Sequence, residues 1–108
     1  MNPSFYASAP FYVGVFPIQD SIPLTGNNVV SNGNTILALY PVSTLATLTV
    51  TFPSTPMNGQ LFCISSTQTI TAMTFTGGNV QNYTGAFTFN PNTARFIFNT
   101  LQNQWLIF

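Results

Sequence analysis

An all-β fold is predicted by three features of the sequence: a strict alternation through residues 45–52, a series of short apolar runs punctuated by Gly, Pro and Asn, and the lack of a helical pattern. In the first feature, Leu48, Val50 and Phe52 alternate with Thr47, Thr49 and Thr51. A period of two puts one set against a core and leaves the other as a threonine-lined face. Thr, Asn, Val and Phe dominate the chain, and these residues suit a pleated surface better than a helix. Several short strands between turn signals point to a β-sandwich or jelly-roll-like module.

Taken in order, residues 1–21 differ from the rest. Phe5, Tyr6, Phe11, Tyr12, Val13, Val15 and Phe16 crowd together, interrupted by Pro3, Pro10, Gly14 and Pro17. Prolines at this spacing break helices and ladder bonds, which predicts an extended N-terminal arm over 1–21 and a single β domain over 22–108. So aromatic an arm is expected to lie on a partner, with Phe5, Tyr6, Phe11, Tyr12, Val13 and Phe16 as its binding side chains. The competing reading makes Tyr12 to Phe16 a first strand that completes the domain's own core.

Within the domain, Thr35 to Tyr40 reads as an apolar strand stopped by Pro41, and Leu45 to Phe52 as the alternating one. Asn58-Gly59 marks a turn. Gln60 to Ser65 and Thr69 to Thr76 read as strands, and Gly77-Gly78-Asn79 as a turn. Val80, Tyr83, Phe87 and Phe89 suggest an edge strand, followed by a turn at Asn90-Pro91-Asn92. Ala94 to Asn99 and Gln104 to Phe108 read as a terminal hairpin, with Phe96 and Phe98 on one face opposite Trp105 and Ile107.

Charge narrows the functions. The 108 residues contain one acid, Asp20, one base, Arg95, and no His, so charged residues make up 2% of the chain, against about 25% in ordinary soluble proteins. One Arg does not neutralise the several phosphates that nucleic-acid binding requires, and a basic membrane-binding face fails for the same reason. Catalysis by acid–base groups is not expected, because a carboxylate pair, a triad and a proton shuttle are all missing. Neither a cofactor nor a metal site is expected: Cys63 without His makes no zinc site, and Gly77-Gly78 is not a phosphate loop.

Cys63 lies in the apolar run Leu61-Phe62-Cys63-Ile64 and is expected to be a buried, inert thiol, with an intermolecular bridge as the alternative. Asp20 and Arg95 are candidates for an ion pair; otherwise each is solvated or bonded to backbone. A near-neutral surface of Thr, Ser, Asn and Gln hydrates without repelling its neighbours, so a subunit packed in an assembly is expected. A small uncharged extracellular domain is the alternative. Met1-Asn2-Pro3-Ser4 lacks the basic start of a secretory signal, and no apolar run approaches a membrane span, which fits synthesis in a cytosol without a signal peptide.

One stretch resembles a known family. Leu48-Thr49-Val50-Thr51-Phe52-Pro53, then Pro56-Met57-Asn58-Gly59-Gln60, then Thr67 to Phe75, is similar to a β domain of tailed-phage structural proteins found in capsid decoration proteins and distal tail-fibre parts. Phe96-Ile97-Phe98-Asn99 and Asn103-Gln104-Trp105-Leu106-Ile107 look like that domain's last hairpin. The resemblance covers roughly residues 22–108. It implies a non-enzymatic module that often trimerises.

A short arm with one compact domain then suits a capsid decoration or cement subunit on the virion exterior. Its partners would be the major capsid protein and copies of itself in a homotrimer. The alternative is a small tail-fibre or receptor-binding tip whose Tyr83, Phe87 or Phe89 form a sugar-binding shelf. A bacterial or host adhesin module is a third reading.

Overall fold

The computed structural model describes residues 15–81, 87–90 and 92–108, and the fold is that of these residues. They form nine strands: β1 Ile18–Ser21, β2 Asn28–Val30, β3 Ile36–Leu39, β4 Leu45–Thr51, β5 Leu61–Ser66, β6 Ile70–Thr76, β7 Phe87–Phe89, β8 Asn92–Asn99 and β9 Gln104–Ile107. The chain is all-β, built as two mixed sheets with the orders β1-β3-β5-β8-β9 and β2-β4-β6-β7.

Through β6 the chain alternates between the sheets, and each return lands parallel on the strand laid down before. β1 pairs with β3 and β3 with β5 in one sheet; β2 pairs with β4 and β4 with β6 in the other. Parallel neighbours need a long crossover, usually a helix; here a strand of the opposite sheet does that work. The winding then stops. β7 turns back antiparallel on β6, and β8 and β9 add antiparallel strands beside β5.

The two sheets share one core. Leu37, Leu39, Phe62, Ile64, Phe96 and Trp105 reach it from the five-stranded sheet; Val29, Leu48, Val50, Ile70 and Met73 reach it from the other. Phe52 leaves β4 between the sheets, with edge-to-face contacts to Phe62, Phe96 and Trp105 on one side and Phe75 on the other, at centroid distances of 5.0 to 5.3 Å. Such pairs add about 0.5–1.5 kcal/mol each beyond area burial. Gly77 makes the turn out of β6 with φ of +75°, a conformation costly for any residue with a Cβ.

The alternating segment behaves as its period requires: Leu48, Val50 and Phe52 are buried, and Thr47, Thr49 and Thr51 face outward. The terminal hairpin forms, with Phe96 opposite Ile107 and Phe98 opposite Trp105. Phe87–Phe89 is an edge strand of its sheet. Two expectations change. The domain begins before residue 22, because Ile18–Ser21, assigned to the arm, is a ladder strand beside β3. Asn92, assigned to a turn, already starts β8.

Candidate functional site

The outer face of the five-stranded sheet follows from its register. Leu37 and Leu39 point into the core, so Ile36 and Ala38 point outward, and their ladder partners point with them. One row reads Ile18, Ile36, Cys63, Arg95; the next reads Asp20, Ala38, Ser65, Thr93. Leu61, Ile97 and Leu106 form a further row. Ile36, Leu61, Cys63, Ile97 and Leu106 are half-buried and Ala38 is buried, so the middle of this face is mainly apolar, with Ser65 and Thr93 in one row, Asp20 on the edge strand β1 and Arg95 on β8.

The candidate ion pair between Asp20 and Arg95 does not form, and the alternative of a bond to backbone holds for Arg95. Asp20 on β1 and Arg95 on β8 stand three strand spacings apart, about 14 Å at roughly 4.8 Å per spacing, far beyond ion-pair range. Arg95 is fastened elsewhere. Its Nε–H donates to the Phe108 carbonyl at 3.4 Å, and its guanidinium carbon sits 5.1 Å from the Phe108 ring centroid, a cation–π contact. Thr93, Ala94, Arg95, Ile107 and Phe108 line an open depression there. Asp20 sits beside Tyr40 and holds that phenol above its ordinary range, by hydrogen bonding first and by its negative charge second.

Cys63 is free, faces outward opposite Arg95 and is half-buried, less enclosed than the buried thiol that its apolar run predicts. Burial pushes its thiol up, and the Arg95 charge partly opposes the shift. Of the arm side chains, Phe5, Tyr6, Phe11, Tyr12 and Val13 lie outside the described residues. Phe16 is exposed beside exposed Val15, immediately before β1. Of the sugar-shelf aromatics, Tyr83 lies outside the described residues, and Phe89 is only 4% exposed, so Phe89 is core and offers no shelf.

The other outer face is polar. Thr51 Oγ1 donates to Asn28 Oδ1 at 2.8 Å and lies 2.8 Å from Thr76 Oγ1. A hydroxyl has one proton, so Thr76 donates to Thr51 and the three side chains form a directed chain across β6, β4 and β2. Thr49 and Thr74 pair likewise at 3.1 Å. Each of these four hydroxyls thus has a partner within the sheet.

Large apolar side chains also stand in water at the loops. Ile22, Leu24, Tyr40 and Val42 are exposed, Val42 by 84%. The motifs Ser21-Ile22-Pro23-Leu24 and Leu39-Tyr40-Pro41-Val42 repeat at the Ile18-to-Ile36 offset of β1 on β3 (36 − 18 = 41 − 23). In both copies the Pro is buried and its flanking apolar residues are exposed. Hydrophobic periodicity does not reveal this repeat; a comparison of the chain with itself does.

No family model matches the chain, and no curated protein matches it. Among solved structures it is similar to part of a chain in "Structure of a chaperone-substrate complex", with a TM-score of 0.50 at 18% identity. The match covers 80% of this chain and 14% of that one. At this identity the likeness is one of fold alone.

Proposed function

We propose that the protein is a structural subunit of a virus particle, a capsid decoration or cement module that works by laying apolar surface against neighbouring subunits. The observation behind this reading is a surface with two charged side chains that nevertheless displays Val15, Phe16, Ile18, Ile22, Leu24 and Val42 to water. Exposed apolar surface without charge around it favours association. At ~25 cal/mol per Å², burying such side chains supplies a large gross term, of which ordering costs cancel much. The resemblance of roughly residues 22–108 to tailed-phage structural domains supports the choice of a virion.

The finer architecture belongs to the same proposal. Two sheets around one core support a sandwich. A jelly roll is antiparallel, and the four parallel ladders count against that variant. Quantitative mass spectrometry of purified particles tests the function. Hundreds of copies per particle are expected of a cement subunit; a handful would move the protein to the tail, and none would overturn the reading.

A further inference from the structure

Both charged side chains of the sequence emerge from the same outer face of the five-stranded sheet, Asp20 on β1 and Arg95 on β8, with an apolar lane of Ile36 and Ala38 on β3 and Leu61 and Cys63 on β5 between them, and Ile97 and Leu106 continuing the apolar surface along β8 and onto β9. They cannot reach each other within one copy, and no described strand covers the face. We propose that this face is a homotypic interface in which two copies pack outer face on outer face about a two-fold axis, with Asp20 of each opposite the partner's Arg95.

The geometry is self-complementary. In an isologous contact, if residue i meets residue j, then j meets i. A two-fold axis lying between the faces and passing midway between Asp20 and Arg95 therefore brings both opposite-charge pairs together in one step. Face-packed sheets stand about 10 Å apart, a gap that an Arg and an Asp side chain bridge jointly. Arg95 is prepared for this: Nε and the guanidinium face are held by Phe108, and its Nη groups make no hydrogen bond among the described residues. The apolar lane between the charges loses its water on contact. A different protein would have to present both charges at the same separation; a second copy does so by construction.

The inference rests on the reading of the chain as an assembly subunit and names a surface for its self-association. Sedimentation velocity of the full-length chain over a concentration series tests it. The unaltered protein is expected to dimerise. D20R leaves two positive charges on each face and R95D two negative ones, so each alone is expected to weaken the dimer roughly ten-fold or more. An equal mixture of the two variants, and the double variant D20R/R95D, are expected to restore it.

Single variants that associate like the unaltered chain, or a mixture that remains monomeric, would overturn the proposal. So would an unaltered chain that stays monomeric, whatever else covers the face. Trp105 fluorescence reports folding; should a reversal unfold the domain, D20N and R95Q serve instead, with a smaller loss in the same direction. A monomer abundant in particles would remove the dimer and leave the proposed function standing. A dimer absent from every particle would do the reverse.

Discussion

Gln19 on β1 reaches the carbonyl of Val30 at the end of β2, Nε2 donating at 2.9 Å, while its Oε1 accepts the Asn32 N–H at 2.9 Å. One side-chain amide thus does at the open side of the core what a backbone peptide does within a ladder. β1 and β2 are edge strands of different sheets, and this bridge ties the two edges together. The opposite edge of the five-stranded sheet is closed by backbone, where Trp105 N–H donates to Asn79 O at 2.7 Å and Gln81 N–H to Trp105 O at 2.9 Å.

Q19E replaces the donor facing Val30 O with a carboxylate oxygen and is expected to destabilise the domain by about 1 kcal/mol at neutral pH. In acid the protonated carboxyl donates again, so part of the loss returns below about pH 4. Urea denaturation of Q19E at both pH values checks this; equal losses at the two would refute the bridge.

Phe52→Ala is expected to cost about 3–5 kcal/mol, because Phe52 is the ring common to the contacts with Phe62, Phe75, Phe96 and Trp105. Chemical denaturation measures it. A loss below 1 kcal/mol would mean that the sheets are held together elsewhere.

Gly78→Ala places a Cβ 2.9 Å from Trp105 Nε1 and 3.5 Å from Phe52 Cβ. Trp105 is 0% exposed and has little room to yield. Overpacking of this kind costs about 1–3 kcal/mol. A lower Tm together with a shifted Trp105 emission is the expected signature; a Tm equal to that of the unaltered protein would contradict the close approach.

Stability is expected to decline in alkali. The folded chain holds the Cys63 and Tyr40 protons more tightly than ordinary thiols and phenols do, whose values are 9.0 and 10.0. As pH rises through those values the unfolded chain loses its protons first, so it binds fewer than the folded chain and stability falls. The contribution is fully present below the ordinary values and is lost as pH climbs through the folded ones. Tyr40 stands in water, where screening shrinks its share, so C63S is expected to flatten most of the slope. Thermal melts from pH 7 to 11 check the direction, and a Tm that rises over that range would refute it.

Two strands carry no local pattern in the sequence. Ile18–Ser21 and Asn28–Val30 have four and three residues, too few for a period of two to stand out, and the first includes Asp20. They become strands because β3 and β4 offer parallel partners at matched register. The apolar run places Cys63 in a strand, but the face it occupies depends on which neighbours point inward, and Phe62 and Ile64 take the core side.

By itself the sequence determined that the domain is all-β, that Leu48, Val50 and Phe52 share one face and Phe96 and Phe98 another, and that charge is nearly absent. These are local matters of side-chain period and composition. The tertiary structure alone decided that successive windings stack in parallel, that Asp20 and Arg95 share a face yet stand three strands apart, and that Phe89 is interior. Parallel and antiparallel strands carry the same alternation, and strand order comes from contacts between residues distant in the chain, which no short window of sequence contains.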